Sequence, residues 1–163
     1  MPKMSTTDGP DDVDIYRAYA DDLIRYATAL VGPTDAADVV SDAVLRVFRT
    51  PGWAAVGNRR AYLYRAVLNQ ASSHHRANVR RRRRETVVAL RDDRLPALAA
   101  DGVTIDAHRA LASLSEQQRA VVYLTYWEDL DPAQIANVLQ VTEGTVRKQL
   151  ARGRDRLRRI LDV

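Results

Sequence analysis

The sequence predicts an all-α protein, in which two small helical domains are joined by a flexible linker. Apolar residues recur at steps of three and four through both halves, which is the period of helices that bury one face. Between the halves the periodicity weakens and Pro96 and Gly102 interrupt it, as expected for a connection. We therefore divide the chain into a first domain (12–84), a linker (85–105) and a four-helix domain with a helix-turn-helix (106–163).

Charge is distributed unevenly along the chain. The net charge is +4, yet residues 1–50 carry nine acidic and five basic side chains, whereas residues 51–84 carry nine arginines and no acidic residue. This partition predicts one surface for nucleic acid and another for a different partner. The chain lacks cysteine, a long apolar run and an apolar leader, so we expect a cytoplasmic protein without membrane insertion, metal or cofactor.

The first two helices are predicted over residues 13–31 and 35–49. Gly32-Pro33 stops the first helix, and Thr34 or Asp35 caps the second. Opposite its apolar face, the second helix carries a polar line made of Asp35, Asp38, Asp42, Arg46 and Arg49. An ordinary solvated helix face has the same periodicity, so the pattern alone leaves the role of this line open.

The third helix is predicted from an Asn58 cap to about Arg84, after a loop that contains Trp53. One of its faces has no carboxylate and consists of Asn58, Tyr62, Arg65, Asn69, Ser73, Arg76 and Arg80. Arginine neutralises phosphate and aromatic rings stack on unpaired bases, so we interpret this face as a nucleic-acid strand site. A solvated helix with a basic end is the alternative. The five consecutive arginines 80–84 are expected to fray into a tether.

The second domain is predicted to begin with a short helix over residues 106–114. Ser115 and Gln118 form a capping box for the next helix, which runs through Trp127. We expect most of the core of this domain to come from one run of side chains, namely Val121, Val122, Leu124, Tyr126 and Trp127.

Residues 131–161 predict a helix-turn-helix. Asp131, Pro132 and Gln134 start its first helix, and Thr142 caps the second after a turn of two residues. In the second helix Val146, Leu150, Leu157 and Leu161 form one apolar stripe, and the other positions are rich in arginine. A short helix, a tight turn and a basic helix are typical of proteins that insert the second helix into the DNA major groove. A surface helix that happens to be basic is the alternative.

Both halves together resemble a bacterial sigma factor of the extracytoplasmic-function (ECF) group. The segment DAADVVSDAVLRVF is similar to the family's D-A-E-D-L-V-Q-E-T-F-L-R-V-W, and RRAYLYRAVLNQASSHHR is similar to W-L-Y-R-I-A-x-N-x-x-x-D-x-x-R. The segment from Leu114 to Leu161 is similar to the family's −35-reading domain. The departures include Ser73 for an aspartate, Gln134 for a glutamate and Gly153 for an alanine.

The resemblance implies a protein that binds core RNA polymerase, recognises and melts promoter DNA, and starts transcription. It implies contacts with the clamp helices of the largest polymerase subunit, the flap of the second-largest subunit and an anti-sigma factor. The polymerase-binding residues would be Asp35, Asp38, Ser41, Asp42 and Arg46. The −10 contacts would be Trp53, Asn58, Arg59, Tyr62, Arg65, Asn69, Ser73, Arg76 and Arg80, with the loop 53–59 holding a flipped base. The −35 contacts would be Thr145, Arg147, Lys148, Ala151, Arg152 and Arg154.

The two other classes of function are a stand-alone helix-turn-helix regulator and an enzyme. A stand-alone helix-turn-helix regulator shares the layout of residues 130–150, but it needs neither a polymerase-docking helix nor a carboxylate-free strand face. An enzyme is disfavoured because the sequence shows no Gly-rich phosphate loop or paired-acid pocket. The histidines offer no metal site either, since the adjacent His74 and His75 diverge on a helix and His108 lies far away in sequence.

Overall fold

The described part of the chain folds into two groups of helices. The computed structural model describes residues 11–85, 107 and 109–161, and these contain helices and turns but no strand. The first group consists of α1 (Asp12–Val31), α2 (Ala36–Phe48), a short 3₁₀ turn (Trp53–Ala55) and α3 (Arg59–Glu85). The second group consists of α4 (Glu116–Tyr126), α5 (Pro132–Leu139) and α6 (Glu143–Leu161), preceded by a helical turn at 109–112. The predicted all-α, two-domain fold is confirmed.

Local sequence signals set most helix boundaries. Asp12 and Asp14 lie in the first turn of α1, where the helix dipole favours negative charge, and Gly32 ends this helix with a φ of 88°. The Asn58 carboxamide accepts a hydrogen bond from the Ala61 amide at 3.0 Å and so caps α3 as predicted. Asp35 stands at the start of α2 without a side-chain cap bond, because its carboxylate pairs with His74 at 3.1 Å.

The core of the first group lies where α1, α2 and α3 meet. Leu23, Tyr26 and Leu30 face inward from α1 at helical spacing and are almost completely buried. Several small and branched side chains fill the space between them, including Val39, Val40, Ala43, Val47, Leu63, Val67 and Ala71. The helical period of apolar residues in the first half of the chain therefore marks the buried faces of these three helices.

The arginine run does not fray as expected. Residues 80–84 continue α3 as a regular helix to Glu85, so the predicted tether is wrong for these residues. Arginine has one of the better intrinsic helix propensities, and a helix that is anchored by a packed amino-terminal half can extend through an exposed basic turn. Glu85 is the last residue of α3, whereas the prediction made it the first residue of the linker. The other residues of the predicted linker lie outside the described ranges.

The second group contains both predicted capping boxes. Ser115 with Gln118 starts α4, and Asp131 with Gln134 starts α5. Gln140 has a left-handed backbone with φ 55° that turns the chain between α5 and α6. The Thr142 hydroxyl accepts from the Thr145 amide at 3.1 Å, so the predicted cap of α6 is confirmed.

The predicted core of the second group needs three corrections. Tyr126 and Trp127 are 52% and 68% exposed, while Tyr123 is buried in their place. Leu161, at the end of the predicted apolar stripe of α6, is 48% exposed because the helix extends past the helices it packs on. Along that stripe Gly153 is buried, and an added Cβ would lie 3.1 Å from a methyl group of Val122. Glycine at this position lets α6 approach α4 closely.

Candidate nucleic-acid and polymerase interfaces

The carboxylate-free face of α3 is exposed or half-exposed along its length. The Arg65 guanidinium carbon lies 4.9 Å from the centroid of the Tyr62 ring, and Arg76 donates a hydrogen bond to the Ser73 hydroxyl at 3.2 Å. Asn69 is exposed between these two pairs. The face therefore combines an aromatic surface, hydrogen-bonding groups and cations in one row, which are the components of a site for single-stranded nucleic acid.

The loop before α3 is held in place by Trp53. This ring is only 6% exposed, packs 5.6 Å from Phe48 and 5.8 Å from Tyr62, and donates from Nε1 to the Asp12 carboxylate at 2.9 Å. Arg59 lies over its other side at 5.3 Å. Of the predicted loop contacts, Trp53 thus supports the loop from inside, whereas Asn58 is exposed to a ligand and Arg59 is half-exposed.

A small cleft lies between α2 and α3. Its volume is about 170 Å³, and its lining includes Arg46, Tyr62, Arg65, Asn69 and Gln70. The Gln70 carboxamide oxygen is buried and lacks a hydrogen-bond partner among the described residues. A buried oxygen without a partner costs free energy, so a donor from a bound ligand would stabilise it. The sequence pattern did not single out Gln70, because it lies beside the polar face of α3 rather than on it.

The solvent face of α2 carries the predicted polymerase contacts. Asp38, Ser41, Asp42 and Arg46 are exposed, as the helical spacing predicts. Asp35 is half-exposed and is paired with His74. Leu45 lies among these side chains and is 52% exposed. The sequence pattern did not single out Leu45, because this position is not on the predicted apolar face. A single exposed leucine is common on protein surfaces, so Leu45 is of interest because it lies within the predicted polymerase contacts.

The second helix of the helix-turn-helix presents its basic residues to solvent. Arg147, Lys148, Ala151 and Arg152 are all exposed on α6, and Arg147 pairs with Glu143 one turn earlier. These side chains form one surface opposite Val146 and Leu150, which are buried as the apolar stripe predicts.

Two other predicted −35 residues have partners within the protein. Thr145 is half-exposed, and its hydroxyl is 2.8 Å from the Thr142 hydroxyl in the helix cap. Arg154 donates from Nε to the Tyr126 hydroxyl at 2.7 Å and lies 5.6 Å from the centroid of that ring. Tyr126 therefore orients Arg154 at the exposed edge of α4.

Three tyrosines lie close together where the two groups of helices meet. Burial raises the pKa of Tyr26 far above its ordinary value, and the neighbouring Tyr64 and Tyr123 add to the rise. Burial is also the main reason why the pKa of Tyr64 is raised, although its bond with Arg60 acts in the opposite direction. Burial and the Glu128 carboxylate raise the pKa of Tyr123 to about 12. All three side chains are therefore neutral at physiological pH.

Comparison with known proteins identifies the family. Residues 15–81 match the family model described as Sigma-70 region 2, and residues 105–157 match Sigma-70, region 4. The chain is 33% identical over 156 residues to the RNA polymerase sigma-E factor of Streptomyces avermitilis, covering 90% of this chain and 82% of the relative. It is 32% identical over 147 residues to the ECF RNA polymerase sigma factor SigL of Mycobacterium tuberculosis, covering 83% and 80%. The chain belongs to the ECF group of sigma-70 factors.

A solved structure shares the fold of this sigma factor. The sigma factor RpoE from Bartonella quintana, in a co-crystal with the anti-sigma factor NepR, aligns with a TM-score of 0.72 at 22% identity. The alignment covers 91% of this chain and 95% of that one, so it includes both groups of helices.

Family membership fixes the general role of this sigma factor. It recognises promoters and initiates transcription together with RNA polymerase. None of the helices in the described ranges is long and apolar enough to cross a membrane. The sequence patterns did not single out three residues. Leu45 is exposed on α2, Gln70 lines the cleft between α2 and α3, and Glu128 of the second group accepts a hydrogen bond from Arg60 of α3.

Proposed function

We propose that this sigma factor docks on core polymerase through α2, holds a separated −10 strand on α3 and reads the duplex −35 element with α6. The observation that carries the proposal is the row from Tyr62 to Arg76, where Arg65 lies 4.9 Å from the Tyr62 ring centroid and no acidic side chain intervenes. Such a row can stack on one base while its cations neutralise the adjoining phosphates.

The cleft between α2 and α3 is the proposed position for an unpaired base. Tyr62 offers a ring at its edge, and Asn69 and Gln70 offer carboxamides. Extruding a base from a duplex costs a few kcal/mol, which stacking and hydrogen bonds in a pocket can offset. The loop 53–59 borders this region and is held rigid by Trp53 and Asp12, which reduces the entropy lost when it closes on DNA.

The docking surface proposed for polymerase is the exposed face of α2. Asp38, Ser41, Asp42 and Arg46 supply polar contacts to the clamp helices of the largest subunit, and Leu45 supplies apolar area at their centre. Asp35 contributes at the edge, where it also holds His74. The second domain is proposed to contact the flap of the second-largest subunit.

For the −35 element, the proposed readers are the exposed side chains of α6. An arginine that donates two hydrogen bonds to a guanine discriminates against other bases by about 1–3 kcal/mol, and Arg147, Arg152 and Arg154 all have that capacity. Lys148 is suited to phosphate, and Ala151 leaves room for a base edge. The cap of α6 holds the Thr145 hydroxyl against Thr142, and we propose that Thr145 contacts the DNA from there.

An anti-sigma factor is a proposed partner, since the structurally similar RpoE was crystallised with one. Sigma factors act without catalysing a reaction of their own, and the proposal assigns no catalytic residue, metal or cofactor. We place the site of action in the cytoplasm, where polymerase and chromosome are found. A stand-alone helix-turn-helix regulator would have no use for the α2 surface or the α3 row.

The proposal is tested by reconstituting the chain with core polymerase. Gel filtration should show a complex, and the complex should bind a single-stranded −10 oligonucleotide. Tyr62→Ala should weaken that binding by about fivefold to 150-fold, since stacking contributes about 1–3 kcal/mol per base. Tyr62→Phe keeps the ring against Trp53 and is the matched control. Absence of a complex with polymerase, or equal affinity of the Ala and Phe variants, would contradict the proposal.

A further inference from the structure

The helix α3 extends beyond the part of it that is packed. All of its buried residues lie in the first half of its 27 residues, namely Leu63, Tyr64, Val67 and Ala71. Val79 is the last partly buried residue, and residues 80–85 are all exposed. At about 1.5 Å per residue, this exposed end adds about 9 Å to the helix. The carboxylate-free face of α3 therefore has a regular helical extension that stands in solvent.

Five consecutive arginines make up most of this exposed end. The chain has no acidic side chain between Asp42 and Glu85, so no carboxylate precedes the run on α3. Like charges three or four residues apart repel on a helix, and Arg80 has such neighbours in Arg76, Arg83 and Arg84. A polyanion bound to this end would relieve that repulsion. The extension therefore fits a negatively charged partner.

Helical geometry divides the five arginines between two sides of α3. Successive residues are about 100° apart around the axis, so five consecutive side chains surround the helix. Arg80 belongs to the carboxylate-free face, and Arg83 and Arg84 continue that face because they follow it by three and four residues. Arg81 and Arg82 project from the other side, where Arg81 donates a hydrogen bond to the Asn78 carboxamide at 2.6 Å. Only part of the run is therefore in line with the proposed −10 contacts.

The course of the chain indicates which DNA this end of α3 meets. The chain leaves α3 at the arginine run and continues to the domain proposed to read the −35 element. The exposed end of α3 therefore points toward the −35 element, and the promoter between the two elements is double-stranded. Arg84 follows Gln70 of the proposed base cleft by 14 residues, about 21 Å of helix or about six base pairs of B-DNA.

We propose that Arg83 and Arg84, together with Arg80, bind backbone phosphates of the duplex that lies between the two promoter elements, next to the −10 element. The inference rests on the proposed function. Such contacts neutralise phosphates and release counterions, which strengthens binding to any sequence. They carry no sequence information, so they hold the DNA in register on α3 without changing which bases are read.

The test compares two forked promoter DNAs bound by the complex of the full chain with core polymerase. Both forks carry a single-stranded −10 element and lack a −35 element. The duplex of the short fork ends at the −10 element, and that of the long fork continues for about ten more base pairs, beyond the reach of Arg84. The wild-type complex should bind the long fork more tightly and with a steeper dependence on salt. The sequence of the added base pairs should not affect this gain.

Two double variants remove the same charge from the two sides of the helix. R83Q/R84Q should lower affinity for the long fork by at least about tenfold at about 0.1 M salt. The slope of log affinity against log salt should become shallower by about 1.8, because each phosphate contact contributes about 0.9. R81Q/R82Q is the matched control and should retain the wild-type affinity and slope.

A conservative variant separates the effect of charge from that of helix structure. R83K/R84K keeps both charges and should bind the long fork like the wild-type protein, because lysine also binds phosphate. Glutamine is a good helix former, so circular dichroism should show an unchanged helix content in both glutamine variants.

Four results would overturn the proposal. Wild-type affinity of R83Q/R84Q for the long fork would show that these arginines do not bind the duplex, and equal losses in R81Q/R82Q would indicate a general effect of charge. A gain that depends on the added sequence would indicate base reading. Weaker binding of R83Q/R84Q to core polymerase alone would indicate a protein contact.

Binding of a single-stranded −10 oligonucleotide tests the proposed function separately. Failure of the wild-type complex to bind it would contradict the proposed function and this inference with it. If that oligonucleotide binds but the long and short forks bind equally well, only the duplex contact is contradicted.

Discussion

Trp53 donates a hydrogen bond from its indole nitrogen to the carboxylate of Asp12, 41 residues earlier, at 2.9 Å. The bond ties the first turn of α1 to the loop before α3, and both partners are partly shielded from water. The position of the proposed base-holding loop thus depends on the first residue of α1, which the sequence offers no local reason to select.

Removing this bond should loosen the loop. Asp12→Ala leaves the buried indole N–H without an acceptor, so we expect a loss of about 1–2 kcal/mol in the free energy of unfolding. Binding of a −10 oligonucleotide by the polymerase complex should weaken as well. Asp12→Asn retains an acceptor oxygen and is the control. Urea unfolding measures the first effect, and unchanged stability of the Ala variant would show that the bond does not hold the loop.

Leu45 should be a principal contact with polymerase. Leu45→Asp places a charge where apolar area is expected to be buried, and loss of a buried leucine costs about 1.5–3 kcal/mol. Affinity for core polymerase should therefore fall by at least about tenfold. The thermal stability of the free protein should not change, because Leu45 is 52% exposed.

Val13 provides a matched control for this experiment. It is an apolar residue that is 50% exposed on α1 and is not among the predicted polymerase contacts. Val13→Asp should leave core affinity at the wild-type level. Equal losses in both variants would indicate a general effect of added charge rather than a contact at Leu45.

Arg152 should read the −35 element without contributing to polymerase binding. Arg152→Ala is expected to cost about 1–3 kcal/mol, or about fivefold to 150-fold, in binding to a promoter with an intact −35 sequence. Arg158→Ala removes the same charge from the last turn of α6 and serves as the control. Quantitative footprinting distinguishes them, and a loss of core binding by the Arg152 variant would mean that this surface has been misassigned.

Stability should decrease under alkaline conditions. Tyr123 has an ordinary pKa near 10 when unfolded, and in the folded protein its pKa is raised to about 12. Since the folded state holds this proton more tightly, the stabilisation is complete below about pH 10 and is lost as the pH rises toward 12. Tyr26 and Tyr64 shift in the same direction.

Alkaline titration with two optical probes checks this expectation. Phenolate absorbance should show one group of tyrosines that ionises late, together with a change in circular dichroism. Tyr123→Phe removes one late proton and should make stability less dependent on pH in this window. Independence of stability from pH between about 10 and 12 would contradict the burial of these hydroxyls.

Local signals in the sequence predicted the helices well. Caps such as Asn58, Ser115 and Asp131 act within a single turn, and apolar spacing marks the buried face of each helix. Tyr126 and Trp127 were placed in the core wrongly, because hydrophobicity at the end of a helix does not reveal whether another element covers it. Helical propensity outweighed like-charge repulsion over residues 80–84, so the predicted fraying did not occur.

The candidate site was predictable only in part. The exposed faces of α2, α3 and α6 follow from helical period, and the structure keeps each of them as one surface. The roles of Leu45 and Gln70 depend on which positions a neighbouring helix leaves open, and that information is three-dimensional. The bond between Arg60 and Glu128 joins residues 68 positions apart and leaves no periodic signal at either end.

The stacking of Trp127 on Tyr123 gives the molecule an internal optical probe. The two rings are 5.8 Å apart and nearly parallel at 7°, while the other face of this cluster touches Tyr26 of the first domain. The only other tryptophan is Trp53, which is buried in the first domain. With Trp53 replaced by phenylalanine, Trp127 would be the single tryptophan, and its emission would report the environment of Tyr123 without any attached dye.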